Sequence, residues 1–274
     1  MDAVNHLLRS VAPISDAGWK LLDEEATQRL APALAARKLV DFSGPHGWDH
    51  SGTNLGRVDE LADGPVDGVG AHQRRVLPLV EFRIGFSVAR AELRDADRGA
   101  ADADLASLDE AAQRIARAEN VAVCHGFDAA GIAGITEAAS HSPIELSDDF
   151  DAYPGHVAKG VEVLLEAGID GPYGLALGPA CYTGVIESTE HGGYLVFDHL
   201  RKILGGPIVR APGVDGALVL SMRGGDFLFE SGQDLSIGYD SHDSELVRLY
   251  FEEIFSFRVA TEEAAVALVN APAG

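Results

Sequence analysis

The alternation of apolar and polar residues is most regular near the C-terminus, between residues 222 and 259. Alternating segments are separated there by Gly224-Gly225-Asp226 and by Asp240-Ser241-His242-Asp243, residue types that favour tight turns between strands. In the last segment apolar residues occupy every second position and one glutamate interrupts them: Val247, Leu249, Phe251, Glu253, Phe255, Phe257 and Val259. Because neighbouring side chains of a strand point to opposite faces, this pattern predicts a sheet with one apolar and one polar face.

Apolar residues spaced three or four apart predict two helices closer to the N-terminus. Ser15 is the expected N-cap of the first helix, and Pro32 is expected to kink or end it. Ser107 and Glu110 have the spacing of a capping box, which predicts the start of a long helix that closes at Gly126. The apolar stripe of the first helix contains Trp19, Leu22, Ala26, Leu30 and Leu34.

The stretches between and after these helices differ in character. Residues 37–42 are predicted to form a short strand, and residues 77–88 a longer one. Residues 49–75 are polar and glycine-rich, and a structureless loop of that length is uncommon inside a compact domain. We therefore expect an arm that becomes ordered by pairing with a neighbouring subunit.

From residue 131 onward, predicted helices alternate with short apolar strands. The helices are expected near residues 152–167, 179–187 and 194–204, and a strand near residues 217–221. The sheet after residue 222 resumes the style of residues 77–88, so we interpret residues 131–220 as a second lobe inserted into the first.

Bulk properties narrow the function classes. The 274 residues carry a net charge of −22, which disfavours general binding to nucleic acid or to anionic membranes. This charge either supports solubility or offers an acidic face to cations or to a basic partner. No apolar run approaches the roughly 20 residues that span a bilayer. Cys124 and Cys181 lie in apolar contexts and are expected to be buried thiols, so we expect a cytoplasmic protein.

The sequence contains none of the common catalytic or cofactor-binding motifs that we sought. It has no phosphate-binding loop, dinucleotide fingerprint, H-E-x-x-H or C-x-x-C motif. Ser241, His242 and Asp243 are the residue types of a hydrolase triad, but adjacency in sequence does not give the geometry of a triad. We interpret them as a solvated turn.

Several stretches are distinctive when taken together: RGGDF, GQDLSIGY and HDSELVRLYFEEIFSFRV near the C-terminus, and RKLVDF followed by GPHGW. They resemble the sequences of the encapsulins, bacterial shell proteins with the fold of the HK97 phage capsid, although Ala36 stands here in place of the usual glycine before the arginine. The resemblance implies an α+β, HK97 capsid-like subunit with a peripheral domain, an axial domain, an extended E-loop and an N-terminal helix. The implied divisions are 1–48 (N-terminal helix and start of the peripheral domain), 49–76 (E-loop), 77–130 (peripheral domain with a spine helix), 131–221 (axial domain), 222–259 (peripheral sheet) and 260–274 (C-terminal segment).

The resemblance also implies a groove that binds the C-terminal targeting peptide of a cargo protein. Arg37 and Asp41 match family positions at that groove and would orient the peptide through hydrogen bonds. Alternatively, the apolar members simply belong to the core. The implied groove residues are Leu34, Arg37, Asp41, Phe42, Asp234, Leu235, Ile237 and Tyr239.

A second implied site is a loop around the five-fold axis of the shell, where repeated Glu and His could tune ion passage. An ordinary surface loop is the alternative. The loop contains Glu187, Ser188, Thr189, Glu190, His191 and Gly192. Some family members hold flavin against a tryptophan, but Ala91 occupies the matching position here, so we expect no flavin, and the sequence suggests no other cofactor and no metal.

The implied function is a shell subunit that is not itself an enzyme. About sixty copies would form the smallest icosahedral (T=1) cage, without nucleic acid or membrane. The cage would enclose a dye-decolorizing peroxidase or a ferritin-like iron-oxidising protein, with roles in iron storage or oxidative stress. A prophage major capsid protein that packages DNA is the main alternative, and an enzyme or bacteriocin in its own right is a second.

Overall fold

The structure, a computed structural model, describes residues 6–62, 64–189 and 193–270. The helices of these ranges are α1 (Asp16–Ala33), α2 (Arg90–Asp97), α3 (Ala106–His125), α4 (Ile135–Ala138), α5 (Tyr153–Glu166), α6 (Pro179–Glu187) and α7 (Val196–Leu204). The strands are β1 (Asp41–Ser43), β2 (Gly52–Leu61), β3 (Ala71–Pro78), β4 (Val80–Ala89), β5 (Ile144–Leu146), β6 (Tyr173–Leu177), β7 (Gly205–Arg210), β8 (Ala217–Ser221), β9 (Phe227–His242), β10 (Leu246–Val259) and β11 (Ala265–Asn270). None of the helices within these ranges combines the length and apolar character required to span a bilayer.

The first lobe is a four-stranded sheet covered by two helices. Its strand order is β1-β9-β10-β4, and α1 and α3 pack on one face. Every second side chain of β10 from Val247 to Phe257 is at most 1% exposed, which confirms the predicted apolar face. Burial of the five apolar side chains in this series stabilises the protein by roughly 1.5–3 kcal/mol for each one.

The predicted polar face of this sheet is wrong over the centre of β10. Glu252, Ile254 and Ser256 are buried because the N-terminal segment and the base of the arm cover them. The ring of His6 lies 3.2 Å from the Glu252 carboxylate, and the Thr53 hydroxyl is 2.6 Å from that of Ser256.

One of the two predicted C-terminal turns is displaced. Gly224 and Gly225 form the first turn with φ of 89° and 86°, a region that glycine enters without strain. The second turn, predicted at residues 240–243, is wrong because β9 continues through His242. The reversal follows at Asp243, whose carboxylate accepts hydrogen bonds from the backbone N–H groups of Glu245 and Leu246.

The first helix confirms its predicted cap. The Ser15 hydroxyl accepts a hydrogen bond from the Gly18 N–H at 2.9 Å, and α1 ends one residue after Pro32. The predicted capping box at Ser107 is wrong, since α3 already begins at Ala106. The Ser107 hydroxyl instead accepts a hydrogen bond from the Ser87 N–H of β4.

The predicted strand over residues 37–42 is also wrong for most of its length. Ala36–Lys38 form a 3-10 turn, and only Asp41–Ser43 are extended. The cause is Asn120, a buried residue of α3 whose side-chain oxygen accepts hydrogen bonds from the N–H groups of Ala35 and Ala36. These bonds bend the chain where a strand was expected.

The polar stretch after residue 49 forms a two-stranded antiparallel arm made of β2 and β3. Most of its side chains are exposed, including Val58, Val66 and Val76. The arm has little core of its own, as expected for a segment that packs against another chain.

The second lobe is a five-stranded sheet of order β5-β11-β8-β6-β7, with α5 and α7 packed together beside it. The predicted helices over 152–167 and 179–187 are confirmed by α5 and α6. The C-terminal segment contributes β11, which lies between β5 and β8 inside this sheet. Cys124 and Cys181 are buried free thiols, as expected.

Candidate functional site

Arg37 is the centre of the candidate groove. Its guanidinium contacts three carboxylates: Glu119 at 2.6 Å, Glu253 at 2.9 Å, and Asp234. The 3-10 turn directs Arg37 toward β9 and β10, and only 15% of its side chain is exposed. Three of its nitrogens are therefore already bonded within the chain.

This cluster contains three carboxylates and one guanidinium, and two of the carboxylates are buried. Glu119 and Glu253 are at most 1% exposed, and one oxygen of each has no hydrogen-bond partner among the described residues. Burial raises the pKa of both carboxyl groups, and repulsion from Glu119 adds to the rise for Glu253. Burial of Arg37 works against its charge, but the three carboxylates outweigh this and raise its pKa. Burial thus favours the neutral, protonated form of each glutamate more than water would.

An aromatic column stands beside Arg37. Phe42 stacks on Phe229 with ring centroids 5.3 Å apart, and Phe229 stacks on Phe255 at 4.8 Å. The Arg37 guanidinium carbon lies 5.2 Å from the centre of the Phe42 ring. Phe229 and Phe255 are buried, whereas Phe42 is 39% exposed and presents an apolar surface to solvent.

Part of the outer edge of β9 has no backbone partner among the described residues. Backbone N–H groups of His46 and Gly47 bond to Ser231 and Gly232, and the Tyr239 N–H bonds to Leu7. Between residues 233 and 238, no backbone group from the described parts of the chain pairs with this edge. An extended peptide can bind such an edge as an added strand.

The eight predicted groove residues occupy different environments along this surface. Leu34, Leu235 and Tyr239 are half-buried, and they pack against the core between α1 and the sheet. Ile237 is 3% exposed in the single chain and belongs to that core. Asp41 is exposed, and its carboxylate accepts the Gly225 N–H at 2.6 Å. The remaining three are Arg37, Phe42 and Asp234.

Three residues of the groove's foundation were not predicted as site residues. Glu119 and Glu253 hold Arg37, and the Asn120 side chain joins the end of α1 to Pro212 by donating to Ala33 and Pro212 carbonyls. The sequence did point to Glu253, because it is a charged residue inside an otherwise apolar series. A glutamate and an asparagine at consecutive helix positions give no comparable signal.

The predicted pore loop is described only at its stem. Ser188 follows α6, and its carbonyl accepts a hydrogen bond from the Val196 N–H at 3.3 Å, while Thr189 bridges to Leu195. Glu187 and Thr189 are exposed. Glu190, His191 and Gly192 lie outside the described residues.

Comparison with known proteins identifies the family. Residues 4–256 match the family model described as an encapsulating protein for peroxidase. A type 1 encapsulin shell protein of Rhodospirillum rubrum is 46% identical over 97% of this chain and 96% of its own length. The chain belongs to the encapsulin family. An encapsulin shell protein of Rhodococcus erythropolis is 41% identical over 97% of this chain and all of its own length.

Solved structures show the fold of this encapsulin. A virus-like particle from Pyrococcus furiosus covers 90% of this chain and 98% of its own with a TM-score of 0.61 and 16% identity. The Mycobacterium phage Bobi structure covers 88% of this chain and 91% of its own, with a TM-score of 0.57 and 16% identity. The α+β fold is thus the HK97-like capsid fold, as the sequence resemblance implied. The two relatives reported above are named as encapsulin shell proteins. This chain is likewise a shell protein and not itself an enzyme.

Proposed function

We propose that this encapsulin forms a closed T=1 icosahedral shell of about sixty copies and holds a cargo enzyme through that enzyme's C-terminal peptide. The shell function follows from the family. The observation that supports peptide capture is the exposed face of Phe42 together with the part of the β9 edge, residues 233–238, that has no backbone partner among the described residues. Apolar side chains of an extended peptide would contact Phe42, Leu235 and Tyr239, and its backbone would pair with residues 233–238.

In this proposal Arg37 shapes the groove, because its own carboxylates already occupy most of its hydrogen-bonding capacity. Asp41 likewise contributes by fixing the Gly225 turn next to Phe42. Ile237 lies between Leu235 and Tyr239 on the same face of β9 and packs in the core. The peptide is thus selected mainly by apolar contact and by backbone pairing.

The cargo class and the pore complete the proposal. The description of the family model supports a peroxidase as cargo, with a ferritin-like iron-oxidising protein as the second candidate. Loops that follow Glu187 and Ser188 would meet at the five-fold axis and admit small molecules. Tyr194 and Leu195, which are 40% and 45% exposed at the stem, offer apolar surface for that meeting.

The first experiment combines electron microscopy with mass spectrometry of particles purified from the native cell. Uniform hollow particles that contain a second protein support the proposal and identify the cargo. Small oligomers or empty particles from cells that express the cargo contradict it.

The groove itself is tested by Phe42→Asp. A charge at this position removes the apolar surface and the stacking on Phe229. Shells are expected to assemble with at least tenfold less cargo, and circular dichroism verifies that the variant folds. Co-purified cargo per shell is the measurement. Val11→Asp is the matched control, because Val11 is 57% exposed and lies outside the groove. Normal loading of the Phe42 variant would remove this residue from the site.

A further inference from the structure

Positive charge is concentrated in one cleft of an acidic molecule. The chain has 43 Asp and Glu residues against 21 Lys and Arg residues. A cleft of about 910 Å³ between α1, α3 and β7 is nevertheless lined by five cationic residues and by no carboxylate. We call it the cationic cleft; its charged residues are Arg29, Lys38, Arg114, Arg117 and Arg210.

Most of this charge has no counter-charge among the residues that the structure describes. Arg29 pairs with Glu25 at 2.6 Å and with Asp109 at 2.8 Å. Arg114, Arg117 and Arg210 make no ion pair or side-chain hydrogen bond with any residue in the described parts of the chain. Like charges held together repel one another, so carboxylates brought from outside would stabilise the cationic cleft.

The second lobe carries the opposite charge at its opposite edge. β7, which ends at Arg210 in the cationic cleft, is one edge strand of the five-stranded sheet, and β5 is the other. Residues 145–151, which we call the acidic segment, contain Glu145, Asp148, Asp149 and Asp151. No lysine or arginine occurs in the sequence between Arg117 and Lys159, so the acidic segment has no cation near it along the chain.

Arg210 of the cationic cleft and the acidic segment lie at the same end of the strands of this sheet. β5 is parallel to β11, β6 is parallel to β7, and both β11 and β6 are antiparallel to β8. β5 and β7 therefore run in the same direction and end on the same side. The acidic segment spans the end of β5, and Arg210 ends β7.

We infer that the acidic segment of one copy enters the cationic cleft of the next copy around a ring of the shell. Rings are built from head-to-tail contacts, in which one patch of each subunit meets a different patch of its neighbour. The cationic cleft and the acidic segment meet this requirement, because they carry opposite charges and lie at the same end of the two edge strands of the second lobe. The inference rests on the proposed closed shell and names one contact within it.

Charge reversal on each side tests the contact. Arg114→Glu/Arg117→Glu changes two exposed positions of α3, and Glu145→Arg/Asp148→Arg changes two exposed side chains that form no ion pair among the described residues. Each double variant is expected to fold but to need about tenfold more protein to assemble, since like charges then face each other. Joining both double variants in one chain is expected to restore assembly to within about threefold of the wild type.

Sedimentation of particles against protein concentration is the measurement, with circular dichroism to verify folding. Arg94→Glu/Lys159→Glu, which reverses two exposed cations outside the cationic cleft, should assemble like the wild type. Assembly of either test variant at the control's concentration overturns the contact alone, as does failure of the combined variant to recover. Binding of tripolyphosphate to wild-type particles through Arg114 and Arg117 would also overturn it, because the cleft would then be open. Absence of wild-type particles would instead overturn the proposed shell.

Discussion

At the scale of single residues, Arg37 lies at the centre of the candidate groove, but its guanidinium is already bonded and is not available to a ligand. It lies under the exposed Phe42, yet its guanidinium faces three carboxylates of its own chain. Loss of one buried partner from such a cluster leaves another group uncompensated, which commonly costs 3–5 kcal/mol. We therefore regard the cluster as the rigid base on which the groove is built.

The raised pKa of Glu253 gives a pH dependence whose sign can be derived. The folded chain raises the pKa of Glu253 well above 4.5, the ordinary value at which it titrates when unfolded. The unfolded chain thus releases a proton that the folded chain keeps, and the free energy of unfolding falls as pH rises from about 4.5 toward the raised pKa. Each pH unit in this window removes at most about 1.4 kcal/mol.

We expect Glu253→Gln to flatten this dependence, because glutamine carries no proton to lose. Urea unfolding at several values between pH 5 and pH 9, at one protein concentration, measures it. Glu166→Gln on the exposed side of α5 is the control and should keep the wild-type slope. An unchanged slope for the Glu253 variant would contradict a raised pKa of Glu253 in the folded chain.

At the scale of elements, β9 and β10 depend on a glycine for their packing. The ring of Tyr250 lies across Gly238 on the neighbouring strand, and the Arg83 guanidinium lies 3.4 Å from the ring centre. A Cβ added at Gly238 would be 2.1 Å from the ring, closer than any real contact. The glycine therefore provides the space in which the tyrosine covers the sheet.

Gly238→Ala is expected to lower the free energy of unfolding by about 1–3 kcal/mol, because the ring must move. Gly85→Ala is a matched control on the other side of Tyr250, where the nearest atom to an added Cβ is 3.8 Å away. Loss of backbone freedom in the unfolded chain should make that change neutral or stabilising by about 0.5 kcal/mol. Equal stability of the two variants in denaturant unfolding would refute the role of Gly238.

The elements also show what a sequence reveals and what it conceals. Periodicity located α1, α5 and β10, because each buries one regular face. Local sequence patterns failed at residues 37–42 and at Ser107, because contacts with distant elements determine the conformation there. These contacts are made by the Asn120 side chain and by the Ser87 backbone N–H. The groove positions came from family resemblance, while their supporting glutamates became apparent only in three dimensions.

At the scale of the whole molecule, the arm is the part that the single subunit cannot explain. Val58 and Val76 are more than half exposed on a two-stranded ribbon that has almost no core. In a shell protein such apolar surface is expected to be covered by a neighbouring copy. Assembly and arm conformation should consequently depend on each other.

Val58→Glu/Val76→Glu is expected to leave the subunit folded and to prevent particle formation, because it places charge where a neighbour must pack. Size-exclusion chromatography with circular dichroism measures both properties. A comparable change at Val11, which is equally exposed but outside the arm, should be tolerated. Normal particles from the arm variant would show that these valines face solvent in the shell.

The placement of β11 has a consequence for the order of events in the cell. This strand, formed by residues 265–270, lies inside the sheet of the second lobe and separates β5 from β8. While these residues are still within the ribosome, that sheet is divided and two strand edges are exposed. We therefore expect a nascent chain to complete the sheet of its second lobe only after residue 270 has left the ribosome, later than the first lobe, whose last strand ends at Val259.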